Sequence, residues 1–213
     1  MKTTLDKAAS LIQSLIEANI PVNLIGSPGV GKSDTIKQVA SALNLQVIDF
    51  RLSTADPTDL TGLPYIKDGR SVFLPNEAFP LETDEVPEGK DGWLLFLDEI
   101  SNAPMAVQAA SYKLILDREV GLHNLHPKVK IVSAGNTMKD AAAVTGEMST
   151  ALKSRMAHIN IETSLEVWLD WAMKAGVHHS ITSYLKCNVL DFYRFDPKDA
   201  ADTFPCPRKQ AYA

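Results

Sequence analysis

The chain has 213 residues and a mass of 23.3 kDa, with 45% hydrophobic and 22% charged residues, enough to bury a large core in one domain or in a domain with a small appendage. Its 11 glycines and 12 prolines are too few for a disordered or collagen-like chain, and a net charge of −5 argues against a protein that grips nucleic acid through general electrostatics. Two cysteines, Cys187 and Cys206, exclude a disulfide scaffold and fit a reducing cytoplasm, and no apolar run approaches the roughly 18 residues of a membrane span. With no apolar signal core at the N-terminus, a cytoplasmic location without a membrane partner is expected.

In chain order, Leu5, Ala8, Ala9, Ile12, Leu15 and Ile16 recur at helical spacing, Thr3 and Asp6 form a capping-box pattern ahead of them, and Pro21 stops the helix. Residues 22–25 are a short apolar run before Gly26, which predicts a buried strand. A Gly-rich turn leads into a second helix over about 31–43, with Ile36, Val39, Ala40 and Leu43 on one face, and residues 46–50 read as the next strand. Turn formers dominate 53–92, but Asp68-Gly69 between strand-like runs predicts a β-hairpin over 65–73, and the acidic stretch 81–91 predicts an exposed loop. Residues 93–97 form the most apolar short run. A helix follows from Pro104 with Val107, Ala110 and Leu114 inward, and strands are expected at 129–134 and 157–161.

Strands alternating with helices predict a three-layer α/β domain over residues 1–161, with a mainly parallel five-stranded sheet. Beyond Glu162 the pattern becomes helical. Leu165, Trp168, Leu169 and Ala172 share a face, Gly176 ends that helix, and another runs over about 178–190, so residues 162–213 form a small helical subdomain. Trp168 and Trp171 are expected in its core rather than as a base-stacking platform.

Gly26-Ser27-Pro28-Gly29-Val30-Gly31-Lys32-Ser33 satisfies the phosphate-loop pattern G-x-x-x-x-G-K-[ST], between a predicted strand and a predicted helix. Glycines let the backbone fold into a nest of N–H groups, the following helix offers its positive N-terminus, Lys32 reaches the β and γ phosphates, and the Ser33 hydroxyl suits Mg²⁺. The expected cradle extends through Asp34. Asp98, delivered by the 93–97 strand, is placed to hold the hydrated magnesium, and Glu99 to orient or deprotonate the attacking water. Asn136, after Gly135 at the end of the 129–134 strand, is read either as a group that holds water or senses the γ-phosphate, or as a turn residue. Arg155 precedes the last strand, and Arg208 opens a helix after Pro205 and Pro207. His123, His126, His178 and His179 stand at no zinc spacing, so no metal beyond Mg²⁺ is expected.

This order of motifs resembles that of AAA+ ATPases over nearly the whole chain. Asp56-Pro57-Thr58-Asp59-Leu60-Thr61-Gly62-Leu63-Pro64 and Ser154-Arg155-Met156 resemble the MoxR-type branch with its bacterial and phage relatives. The resemblance implies ATP and Mg²⁺ as ligands, Asn136 as sensor 1, Arg155 as an arginine finger reaching a neighbouring subunit, and Arg208 as sensor 2 on a lid. It also implies a partner- or pore-facing hairpin around Asp68-Gly69, residues 118–127 as the segment before sensor 1, and a lid that continues past Arg208, whereas this chain ends at Ala213. The expected function is Mg-dependent ATP hydrolysis by a hexameric ring that remodels a protein partner. Two alternatives stay open: a nucleic-acid motor or loader, opposed by the acidic charge, and a nucleotide switch with little turnover, opposed by Glu99 and Arg155.

Overall fold

The computed structural model describes residues 2–137, 153–195 and 204–211. Its central sheet is built from β1 (Lys2–Thr3), β2 (Val22–Gly26), β3 (Leu45–Arg51), β6 (Gly92–Asp98), β9 (Val129–Gly135) and β10 (Ala157–Ile161). All neighbouring pairs are parallel, in the order β1-β10-β2-β9-β6-β3. The sequence predicts five strands and the sheet has six. The addition is the two-residue β1, which pairs with Asn160 and Ile161 and is too short to leave a periodic signal.

β1 also displaces the expected helix start. Thr3 is in the strand, Thr4 is the N-cap of α1 (Leu5–Glu17), and the Thr3–Asp6 capping box does not form. Instead the Thr4 hydroxyl bonds to the Asp6 carboxylate and holds its pKa below the usual value.

Helices cover the two sheet faces because each has one apolar stripe to bury. On one face, Ala8, Ile12 and Ile16 of α1 and Ile36, Val39 and Ala40 of α2 (Lys32–Ala42) pack over Val22, Leu24, Val132 and Ala134. On the other, Leu60 of α3 (Pro57–Thr61) and Val107, Leu114 and Ile115 of α4 (Met105–Leu116) pack over Leu95, Leu97, Val129 and Ile131. Pro104 is the N-cap of α4 rather than its first helical residue.

The stretch 56–64 has a local physical logic. The Asp56 side chain accepts from the Thr58 N–H at 3.0 Å and Asp59 accepts from the Asp56 N–H at 2.8 Å, closing a capping box on α3 with Pro57 in the first turn. Gly62 then turns at φ +87°, where a Cβ would stand 2.6 Å from the Leu74 carbonyl oxygen. This delivers the chain into the antiparallel hairpin of β4 (Leu63–Lys67) and β5 (Arg70–Leu74), joined at Asp68-Gly69 with positive φ at both residues. The hairpin stands out from the body, and Leu63, Ile66 and Leu74 are exposed. It leans on a smaller hairpin, β7 (Glu119–Val120) with β8 (His123–Asn124), through a hydrogen bond between His123 Nε2 and the Phe73 carbonyl. Residues 81–91 form the expected exposed loop.

After β10, α5 (Leu165–Ala175) and α6 (His179–Cys187) enclose a separate small core of Trp168, Leu169, Ala172, Leu185 and Phe192. Gly176 ends α5 in the left-handed conformation, as its position predicts. Trp168 is buried, but Trp171 is 41% exposed and lines a cleft instead of filling the core. The last described element is the single turn α7 (Pro207–Gln210). No helix among the described residues is long and apolar enough to cross a membrane.

Candidate functional site

β2 ends in the middle of the sheet, between β10 and β9, and its last residue, Gly26, opens the loop that runs into α2. Gly29 and Gly31 have φ of +76° and +104°, the left-handed turns that let successive N–H groups converge. Gly31 caps α2, whose first-turn N–H groups have no acceptor within the helix. Ser27, Pro28 and Gly29 are partly buried and Val30 is fully buried under the loop, while Asp34 is exposed on the outer face of α2.

The loop lysine turns inward. Lys32 Nζ donates to the Gly26 carbonyl at 2.6 Å, to the Ser27 carbonyl at 3.1 Å and to Asn136 Oδ1 at 3.3 Å, joining the start of α2 to the end of β9. The Asn136 N–H donates to Ser101 Oγ at 2.9 Å, so the residue is held from both sides. Asn136 Oδ1 thus faces the loop lysine.

β6, buried along all but its last residue, brings Asp98 to the same sheet edge. Ser33 Oγ lies 3.5 Å from Asp98 Oδ2, and the Glu99 N–H donates to Asp98 Oδ1 at 2.8 Å. Burial pushes the Asp98 carboxyl above its ordinary pKa; the negative charges of Glu99 and Asp49 add to this, while the Glu99 N–H bond and Arg51 oppose it. Glu99 stands in the left-handed region at φ 57°, an uncommon conformation for a residue with a side chain. Its carboxylate accepts a short hydrogen bond from Ser53 Oγ and lies 3.9 Å from Arg51 Nε at the end of β3.

Lys32, Ser33, Asp98 and Asn136 thus meet at one edge, with Glu99 beside them. Arg155 does not join them. It is exposed on the turn before β10, and no hydrogen bond or ion pair among the described residues links it to the cluster. Arg208 reaches the loop by its backbone, its N–H donating to the Gly29 carbonyl at 3.1 Å, while its side chain is exposed. Cys206 packs against the same glycine, where a Cβ on Gly29 would stand 2.7 Å from Cys206 Sγ, and the Trp168 indole N–H donates to the Pro207 carbonyl at 3.2 Å. Between these parts opens a cleft of about 950 Å³, bordered by Ala9 of α1, Gly29 to Gly31, Trp168 and Trp171 of α5, and Arg208.

Arg51, Ser53, Ser101 and Cys206 carried no signal in the sequence. They lie in other elements from the groups they touch: parallel register brings Arg51 opposite Asp98, and the return of the tail brings Cys206 onto Gly29.

A glycine-rich loop between a buried central parallel strand and a helix, with an acidic residue ending the strand two places away in the sheet, is the fold of a P-loop nucleoside triphosphatase. Within that class the chain belongs to the AAA domain family, dynein-related subfamily, which it matches over residues 21–156. No curated protein matches its sequence.

Among solved structures, a putative ATPase from Cytophaga hutchinsonii is similar with a TM-score of 0.58 at 16% identity, over 82% of this chain and 51% of that one. The RuvB Holliday junction branch migration motor of Thermotoga maritima gives 0.52 at 21% identity, over 81% of this chain and 49% of its own. NtrX from Brucella abortus gives 0.51 at 16% identity, over 96% and 52%. These likenesses are of fold, and the chain spans about half the length of each structure.

Proposed function

We propose that the protein is a MoxR-type AAA+ ATPase that hydrolyses ATP with Mg²⁺, assembles as a hexameric ring and uses turnover to remodel a protein partner in the cytoplasm. The observation that carries the ATPase reading is the meeting of Lys32, Ser33, Asp98 and Asn136 at one sheet edge beside the glycine-rich loop. The MoxR assignment is supported by the stretches 56–64 and 154–156, and division into a core of residues 1–161 and a lid of residues 162–213 by the separate small cores. Two free cysteines agree with a reducing compartment.

The residues fit a nucleotide with magnesium. Ser33 and Asp98 offer the hard oxygen donors that Mg²⁺ takes, and the partly buried Asp98 carboxylate lacks a close cationic partner among the described residues. Bound Mg²⁺ neutralises phosphate charge. The rest falls to the chain. Lys32 exchanges backbone carbonyls for phosphate oxygens, Asn136 holds the attacking water or senses the γ-phosphate, and Glu99 accepts the water's proton as it attacks in line. Arg155 completes charge neutralisation in the neighbouring subunit, and Arg208 reads the nucleotide from the lid side of the cleft.

Binding and chemistry separate by mutation. Lys32→Ala should lose ATP affinity, whereas Glu99→Gln should bind ATP and hydrolyse it very slowly, because an amide cannot accept the proton. Calorimetry and phosphate release measure the two quantities. Wild-type turnover by Glu99→Gln would overturn the role given to Glu99.

A further inference from the structure

Ser133 of β9, Asn23 of β2 and His158 of β10 stand at one register level across three adjacent parallel strands, Asn23 being paired with both of the others. Ser133 and Asn23 are buried, at 0% and 1% exposure, in a sheet whose other interior positions are mostly apolar. Polar side chains at such positions are costly unless satisfied, and here they satisfy one another in sequence. The Ser133 hydroxyl lies 2.9 Å from Asn23 Oδ1, and Asn23 Nδ2 lies 3.3 Å from His158 Nδ1. His158 Nε2 lies 2.9 Å from the Lys153 carbonyl oxygen. That carbonyl only accepts, so Nε2 carries the proton and Nδ1 is left to accept from the Asn23 amide.

The row ends on a functional segment. Lys153 opens the turn that carries Arg155, two residues on. The far side of that turn is pinned by the buried Met156 and by the Ala157 N–H, which donates to the Pro21 carbonyl at 2.9 Å. The near side is held by the bond from His158. The same β2 strand continues three residues past Asn23 to Gly26 and the phosphate loop, and β9 continues two residues past Ser133 to Gly135, which Asn136 follows.

We infer that His158, braced by Asn23 and Ser133, is a positioning residue that sets the Arg155 turn at a fixed height relative to the phosphate-loop strand. This rests on the reading of Arg155 as a group that acts in the neighbouring subunit. A long exposed arginine has many rotamers and is useful only if its backbone origin is fixed, and the row fixes that origin to the strand framework that every subunit shares. His158 itself touches no substrate.

The test uses the full chain at concentrations where it assembles, with calorimetric ATP affinity and steady-state phosphate release for each variant. His158→Ala should bind ATP like the parent and turn over about 10²-fold more slowly, as expected for a misplaced group. His158→Gln, whose amide N–H reaches the place of Nε2, should retain most of the turnover. Mixing His158→Ala with Lys32→Ala subunits should restore activity, because intact loops then sit beside intact fingers; a merely loosened fold would not be rescued. If His158→Ala does not fold, His158→Asn, which keeps the Asn23 contact and loses the Lys153 bond, should show the same loss and the same rescue.

Parent-like turnover by His158→Ala or His158→Asn, or loss without rescue in mixtures, overturns the inference while leaving Arg155 untouched. Parent-like turnover by Arg155→Ala would overturn the underlying reading as well.

Discussion

Asp98 shows how one residue trades stability for chemistry. Its folded pKa lies above the ordinary value of 3.8, chiefly through burial, so the folded state binds the proton more tightly than the unfolded state. The sign follows: protonation favours the folded state, and stability falls as pH rises from about 3.8 through the folded pKa. Asp98→Asn removes the buried charge at nearly the same shape. Thermal melts in the absence of nucleotide and Mg²⁺ should show a higher Tm than the parent at neutral pH and a flatter dependence between acid and neutral pH, together with loss of hydrolysis. An unchanged Tm and pH profile would mean that Asp98 carries no such burden. Glu99 is arranged differently, held by Ser53 and Arg51 from the neighbouring β3 strand end in an unusual backbone conformation.

Among the elements, the β4–β5 hairpin stands apart from the Lys32–Asp98 cluster. Its strands are almost wholly exposed, and its ties to the body run through α3 and the β7–β8 hairpin, away from Lys32 and Asp98. Exposed Leu63, Ile66 and Leu74 contribute little to the core, so their retention as apolar side chains fits contact with something else. Replacing residues 65–74 by a short Gly-Ser link should leave basal phosphate release within a few fold of the parent and abolish stimulation by a protein partner. A collapse of basal release in a folded variant would place the hairpin in the active site or a subunit contact. The short α7 segment behaves in the opposite way. Arg208, Cys206 and Pro207 tie it to Gly29 and to Trp168, so the phosphate loop and α5 share one support.

For the whole molecule, the decisive feature is that Arg155 is exposed and outside the cluster of Lys32, Ser33, Asp98 and Asn136. Under the proposed function, Lys32 is the cation that the described residues place in this cluster, and a highly charged γ-phosphate would need further neutralisation. A finger supplied by a neighbour is worth about 10³-fold or more in rate. Specific activity should rise with protein concentration, and Arg155→Ala should bind ATP nearly normally yet be almost inactive. Mixing it with Lys32→Ala subunits should restore part of the activity. Concentration-independent turnover by a demonstrated monomer would refute this dependence on assembly.

Several features follow from local patterns. The glycine-rich loop, the apolar β6 run ending in Asp98-Glu99, the Asp68-Gly69 turn and the Gly176 helix end are each determined by neighbours within a few residues, and all stand where the spacing predicts. The sixth strand, β1, leaves no such pattern because two residues hold no period. Tertiary structure decided which distant groups meet. Parallel pairing sets Arg51 opposite Asp98 and Asn23 opposite both Ser133 and His158, and the return of the tail places Cys206 on Gly29. It also exposed Trp171 to the cleft, although its helical spacing from Trp168 reads as core. The physical reason is one of range: periodicity and turn chemistry act along the chain, whereas register, burial and the satisfaction of buried polar groups are settled between strands far apart in sequence.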